Sequence, residues 1–124
     1  MREVVMAKIM IVDDTAFMRM MLREIITDSG FEVIAEAENG KEAVQFFRQY
    51  RPQLVTMDIT MPEMDGIAAL KEIKRMDPGA KIIICSAMGQ KDRVVDAITS
   101  GAADFIVKPF QREKVLETLA KALK

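Results

Sequence analysis

Histidine is absent from the 124-residue sequence, and cysteine occurs once, at Cys85. Disulfide frameworks within the chain, zinc sites of the Cys/His kind and Ser-His or Cys-His nucleophilic dyads are thereby excluded, because each needs an imidazole or several thiolates. Chemistry on this chain must run on carboxylates, hydroxyls, lysine and a hard metal ion. Cys85 ends an apolar run and reads as a buried small hydrophobe, not a reactive thiol. No apolar stretch approaches the roughly 18 residues of a membrane span. Excess charge of one sign is also missing: 18 basic residues face 19 acidic ones, a net charge of −1, which supplies no positive field for nucleic-acid phosphates or anionic lipid. Residues Met1 to Ala7 lack the apolar core and small-residue cleavage site of a secretory signal, so a cytoplasmic address is expected. Met6 offers a second start within that stretch. Linkers, low-complexity tracts and solenoid repeats are lacking as well. The length suits one compact domain, residues 1–124, with no room for a separate output domain.

What is present is a regular alternation. With 50% hydrophobic and 30% charged residues, the composition is that of a globular domain. Four short runs, Ile9 to Val12, Leu54 to Met57, Ile82 to Cys85 and Phe105 to Val107, are almost continuously apolar and rich in branched side chains, and read as parallel strands buried on both faces. A fifth, Phe31 to Ala37, alternates apolar residues with Glu32 and Glu36 and reads as a half-exposed edge. Helical periods fill the intervals. The first, Ala16 to Asp28, places Phe17, Met20, Met21, Glu24 and Ile25 on one face and stops at Gly30. The second follows Asn39 and Gly40 and runs to Tyr50; the third follows Asp65 and Gly66 and ends near Met76. The fourth spans Gln90 to Ser100, and the fifth starts at Gln111. Five β-α units in succession predict an α/β fold of three layers, with helices on both faces of one parallel sheet. The 11 methionines, including Met18, Met20 and Met21 on the first helix, read as core filler.

In such a sheet the binding crevice lies at the carboxyl ends of the strands. Asp13 and Asp14 follow the first strand, Asp58 the third, Ser86 the fourth and Lys108 the fifth. Any one of these is an ordinary turn or cap residue, and Asp14 alone would serve as a helix N-cap. Converging from four strands, they form a set that stability does not require. Three carboxylates repel one another unless a cation joins them. Mg²⁺ suits them, since it takes one or two carboxylates, keeps several waters and leaves room for a phosphate oxygen. Lys108 supplies a point charge for a phosphate, Ser86 a donor, and Asp58, in the middle of the crevice, a carboxylate able to attack phosphorus.

The stretches Ile11-Val12-Asp13-Asp14, Met57 to Gly66, Cys85-Ser86-Ala87-Met88-Gly89 and Phe105 to Phe110 resemble the response-regulator receiver family, most of all its chemotaxis members. The resemblance covers almost the whole chain. It implies a flavodoxin-like (βα)5 fold with strand order 2-1-3-4-5. It also implies that a histidine kinase phosphorylates Asp58, and that Asp14, Asp58 and the Thr60 carbonyl ligate Mg²⁺ with Asp13 assisting through water. Ser86 and Lys108 would bind the phosphoryl oxygens, and the Lys108-Pro109 bond would be cis. Thr60 and Met88 would flank the phosphoryl group and tune its hydrolysis. The family's switch couples the hydroxyl at Ser86 to the aromatic at Phe105. Many relatives carry threonine and tyrosine at these two positions, so steric packing must do here what a tyrosine hydroxyl does there. The face made by the fourth helix, the fifth strand and the fifth helix, including Val94, Phe105 and Val107, would meet the partner. A chemotaxis histidine kinase, the flagellar motor switch and a phosphatase are the implied partners of a monomer that meets neither nucleic acid nor membrane.

Three other readings are weaker. A phosphatase with an aspartyl nucleophile needs a second acid two residues on, where Thr60 stands. A flavin-binding module of the same topology needs a hydroxyl-rich phosphate loop, which Asp13 and Asp14 would repel. A receiver belonging to a longer regulator, or a phosphorelay intermediate, shares the same site and stays open as the alternative.

Overall fold

The computed structural model describes residues 7–124; the N-terminal stretch discussed above as a non-signal lies, apart from Ala7, outside the described residues. Ten elements alternate along the chain: β1 (Lys8–Val12), α1 (Ala16–Asp28), β2 (Glu32–Ala37), α2 (Gly40–Tyr50), β3 (Leu54–Asp58), α3 (Gly66–Met76), β4 (Ile82–Ser86), α4 (Lys91–Thr99), β5 (Asp104–Val107) and α5 (Arg112–Ala122). The strands make one parallel sheet in the order β2-β1-β3-β4-β5. The expected α/β architecture and strand order are therefore present. After β2 the chain crosses over β1 to build β3, so the direction of winding reverses between β1 and β3. A crevice opens at such a reversal, and both Asp13 and Asp58 end strands that border it.

Alternation along the strands divides the core in two. Met10, Val12, Val55, Met57, Ile82 and Ile84 face α2, α3 and α4, where Phe47, Leu70, Ile73 and Ala97 cover them. Ile9, Ile11, Leu54, Ile83, Cys85 and Ile106 face α1 and α5, against Leu22, Ile26, Val115 and Leu119. Local signals start and stop the helices. The Asn39 side chain accepts the Glu42 N–H at 2.8 Å to cap α2, and Asp65 accepts the Ala68 N–H at 2.8 Å to cap α3. Gly30, just past α1, takes a left-handed φ of 89°, which costs a glycine little. Among the described residues no helix is long and apolar enough to cross a membrane.

The structure corrects two readings of the apolar pattern. Strand β5 is not buried on both faces: Ile106 is, but Phe105 and Val107 are 40% and 42% exposed. The physical reason is position, since β5 is the second edge of the sheet and α4 packs on β4 and α3 instead. On α1 the buried face runs through Leu22 and Ile26, with Met18 and Ile25 partly covered, while Phe17 and Met20 are exposed. This helix is apolar almost all round its first two turns, so periodicity could not choose the face. Met10 and Met57 do fill the core, with Met18, Met64 and Met76 packed against it, whereas Met20 and Met88 do not.

One buried hydroxyl is out of keeping with this core. Thr56 is fully buried on β3 in register between Ile11 and Ile83, and its Oγ1 has no hydrogen-bond partner among the described residues. Replacing it with valine keeps the shape and removes the orphaned polar atom, which should raise the unfolding free energy by about 1 kcal/mol. Urea denaturation of Thr56→Val checks this; an unchanged or lower midpoint would refute it.

Candidate functional site

Four of the five strands, β1, β3, β4 and β5, deliver a polar side chain to the same end of the sheet. Asp13, directly after β1, is 1% exposed; Asp58, the last residue of β3, is 6% exposed; and Ser86, the last residue of β4, is 1% exposed. Lys108 follows β5, and its backbone N–H donates to the Ser86 carbonyl at 2.7 Å. Its ammonium lies 2.9 Å from Asp13 Oδ2 and 3.2 Å from Asp58 Oδ1. Asp14 is exposed, and one carboxylate oxygen from each of Asp13, Asp14 and Asp58 lies within 4.8 Å of the others. The Lys108-Pro109 bond is cis.

Charge in this pocket is out of balance. Burial pushes the Asp58 carboxyl up to about 6; the neighbouring Asp13 adds to the rise, Lys108 opposes it, and Asp14 adds a little more. Burial by itself would lower the Lys108 ammonium, but the hydrogen bond to Asp13 and the charges of Asp58 and Asp13 hold it above its ordinary value. A cation thus stays between the two buried acids at every physiological pH. Burial, with the Asp58 charge, also raises the Cys85 thiol far above its usual range, which leaves it inert, as its apolar surroundings indicate.

The carboxylates divide into two kinds. Asp13 commits both oxygens within the chain: Oδ1 accepts the Thr15 N–H at 3.0 Å and the Thr15 hydroxyl at 2.9 Å, and Oδ2 accepts Lys108. Asp58 gives Oδ1 to Lys108, and the exposed Asp14 caps no helix, since the N-cap of α1 is Thr15. Asp14 and Asp58 therefore have oxygens to offer a cation directly, and Asp13 is better placed to reach one through water. A cluster of three acids with a single ammonium between two of them, and one acid raised toward neutrality, fits a hard divalent ion.

Two loops frame the pocket. Behind Asp58, Gly66 opens α3 with its N–H on the Ile59 carbonyl at 2.7 Å, and a Cβ there would collide with the Asp58 carbonyl. The glycine that signals a helix start in the sequence is thus also what lets α3 press against the strand carrying Asp58. Across the mouth, the Gln90 carboxamide joins the β3–α3 and β4–α4 loops: Oε1 accepts the Ala87 N–H at 2.7 Å, and Nε2 donates to Thr60 Oγ1 at 3.0 Å. Arg93 adds an ion pair to Asp65 at 3.1 Å. Neither Gln90 nor Arg93 carries a sequence signal, because both act between segments about 28–30 residues apart.

Of the residues singled out from sequence, Asp13, Asp14, Asp58 and Lys108 are brought together, with Ser86 at the adjoining strand end. Thr60 and Met88 are exposed on the two loops, Met88 by 80%. Val94, Phe105 and Val107 line one mostly apolar groove of about 560 Å³, which also reaches Ser86, Met88, Val95 and Ile98.

The family described as the response regulator receiver domain matches residues 9–120. The chain belongs to that family. The receiver is 64% identical over 116 residues to the chemotaxis protein CheY of Bacillus subtilis, covering 94% of this chain and 97% of that one. It is 61% identical over 117 residues to the chemotaxis protein CheY of Thermotoga maritima, with 94% and 98% covered. Among solved structures, the CheX-CheY-BeF3-Mg²⁺ complex from Borrelia burgdorferi contains a chain similar to this receiver with a TM-score of 0.91 and 40% identity, covering 95% of this chain and 90% of that one. The response regulator domain of Thermotoga maritima CheB has a TM-score of 0.89 at 33% identity, with 96% and 97% covered.

Titration of Asp58 makes the charge imbalance measurable. Its carboxyl rises on folding from 3.8 to about 6. Below pH 3.8 both folded and unfolded chains hold the proton; as pH rises through 6 the folded receiver must give it up, and that stability is lost. In metal-free buffer, Asp58→Asn should therefore be more stable at pH 7 by on the order of 2 kcal/mol, with the difference vanishing below about pH 4. Thermal and urea unfolding across that range measures it, and a difference that does not vary with pH would refute it.

Proposed function

We propose that this receiver is that of a chemotaxis response regulator and takes a phosphoryl group from a histidine kinase onto Asp58. The observation that carries the proposal is the arrangement of Asp58 with Asp13, Asp14 and Lys108 at the reversal point of the sheet. Asp58 is the nucleophile: one carboxylate oxygen forms a bond to phosphorus as the phosphorus–nitrogen bond of the donor imidazole breaks, and the imidazole leaves with that electron pair. Lys108, already within reach of Asp58, pairs with the charge on the equatorial oxygens. The Ser86 hydroxyl donates to another of them. Asp14, Asp58 and the Thr60 carbonyl would hold Mg²⁺, with Asp13 assisting through water, and the ion when bound would supply charge neutralisation for the phosphoryl group. Catalysis in this reading is alignment and charge neutralisation by fixed groups, so a small phosphodonor should serve in place of the kinase.

The receiver is then a signalling protein of the cytoplasm, a monomer whose own chemistry is limited to phosphoryl transfer and hydrolysis. Its relatives are chemotaxis proteins by name, which supports the flagellar motor switch as the output partner and a chemotaxis histidine kinase as the donor. A phosphatase is a further partner, a reading consistent with the CheX-bound relative. The output surface is the groove bordered by α4 and β5. Movement of Ser86 toward the phosphoryl group draws the loop after β4 with it, and Phe105, lacking a hydroxyl, answers by packing inward. Such inward packing would reduce the 40% exposure of the residue. A receiver within a longer regulator, or a relay intermediate, would use the same site and differ only in what reads it.

Intact mass after incubation with acetyl phosphate and Mg²⁺ tests the site. A gain of one phosphoryl group is expected, absent in Asp58→Asn and in a metal-free sample; no gain in the folded chain would withdraw the assignment. Followed over time, the added mass should decay faster in Met88→Ala, where the side chain that shields the group from water is cut back, and an equal or slower decay would remove that role from Met88. For the output face, Phe105→Ala should accept phosphate normally and bind a motor-switch peptide about tenfold more weakly. Unchanged binding would move the switch elsewhere.

A further inference from the structure

Arg19, the fourth residue of α1, lies outside the constellation at the strand ends, yet its guanidinium reaches back to that constellation. Side chains on a helix point toward its N-terminus, and here Nη1 donates to the main-chain carbonyl of Asp13 at 2.7 Å. The same guanidinium is held from the far side by β2 and the turn after it, with Nε 3.5 Å from Glu36 Oε1 and Nη2 3.9 Å from Glu38 Oε1. Glu36 is itself fixed by Arg23 at 2.6 Å. The Arg19 side chain is only 14% exposed, so this is a packed arrangement and not a surface contact.

The Asp13 carbonyl is one half of the peptide group joining Asp13 to Asp14. The N–H of Asp13, part of the preceding peptide, is tied to the Ala37 carbonyl at 3.1 Å, so the backbone entering Asp13 is held by β2, and the Asp13-Asp14 peptide leaving it is held at its carbonyl by Arg19. That matters because the two acids are oriented by different means. Asp13 is locked by Thr15 and Lys108 through its carboxylate. None of those bonds reaches Asp14, which is exposed, so the direction of its side chain depends on the backbone it leaves from.

We infer that Arg19 is a positioning residue for divalent-cation binding, holding the Asp13-Asp14 peptide so that the Asp14 carboxylate stays aimed at the space shared with Asp58. The inference rests on the Mg²⁺ reading of the site and adds to it a residue that touches neither the ion nor the phosphoryl group. It also has a sign that separates it from plain electrostatics. A guanidinium near three carboxylates repels a divalent cation, so if Arg19 acted by charge alone its removal would tighten metal binding. If it acts by holding the peptide, its removal loosens binding despite the lost positive charge, by about tenfold as for other residues that orient metal ligands.

Mn²⁺ binding followed by the electron paramagnetic resonance signal of the free ion, with displacement by Mg²⁺, reads this directly and without phosphorylation. Arg19→Met is expected to weaken both ions by about tenfold, and Arg19→Lys, which keeps the charge but cannot span the Asp13 carbonyl and Glu36 together, to weaken them as well. Circular dichroism establishes that each variant is folded; should the methionine variant fail to fold, the lysine variant is read by the same criterion. Affinity that is unchanged or higher in a folded variant overturns the inference. If the unsubstituted chain binds neither ion, the Mg²⁺ reading falls and this inference with it, a result distinct from one in which the chain and its variants bind alike.

Discussion

The ammonium of Lys108 stands between two carboxylates that water scarcely reaches, and the end of the sheet is arranged round that contact. Asp13 and Asp58 come from adjacent strands and are both almost wholly buried; as bare anions they would repel each other across a medium that screens poorly. Lys108 joins them across the width of the sheet, from a strand two places away from β3. The compensation is incomplete, because one ammonium serves two buried acids and Asp14 adds a third negative group at the rim. The raised Asp58 carboxyl reflects its burial first and, after that, the uncompensated charge of Asp13 and Asp14. A fold that only needed stability would do better with apolar residues in these places, which is why the deficit points to a cationic ligand.

Topology explains why the deficit sits where it does. The winding of the chain reverses between β1 and β3, so the loops leaving these two strands turn to opposite faces and leave an opening that side chains at the strand ends must fill. Everything else near the opening is support. Gly66 brings α3 against the Asp58 carbonyl, Thr15 fixes one oxygen of Asp13, and the apolar layers hold the strands in register from both faces. The orphaned Thr56 hydroxyl lies two residues before Asp58 on the same strand, inside the layer that faces α1 and α5.

Most of this was legible from the order of residues, for definable reasons. Strand β3 and strand β4 are buried on both faces, so a run of apolar residues ending in one polar residue marks both the strand and the end that borders the crevice, as Asp58 and Ser86 do. Helices α2 and α3 announce themselves by Asn39-Gly40 and Asp65-Gly66, and the caps form as the side chains dictate. Legibility failed where the answer lies in what packs on what. Apolar residues surround most of the start of α1, so the sequence holds no information on which of them meets the sheet; Leu22 and Ile26 do because of how α1 docks beside α5. Phe105 and Val107 look like core residues and are half exposed, because nothing in a four-residue run tells that its strand is an edge. Arg19 and Gln90 are invisible for a related reason: a polar side chain on a helix or loop has no partner until distant segments are brought together. The family resemblance supplied the strand order, which periodicity alone does not contain.

The bridge between the two loops at the mouth of the site is a carboxamide. Gln90 joins the Ala87 amide and the Thr60 hydroxyl through a group that carries no charge and does not titrate in water. The floor of the pocket, by contrast, consists of acids and an ammonium whose balance follows pH and bound cations. The width of the entrance and the charge of the interior are thus governed by separate variables. A change of proton concentration that alters what the pocket attracts does not act on this carboxamide bridge, and salt reaches the rim through the exposed Arg93–Asp65 pair alone.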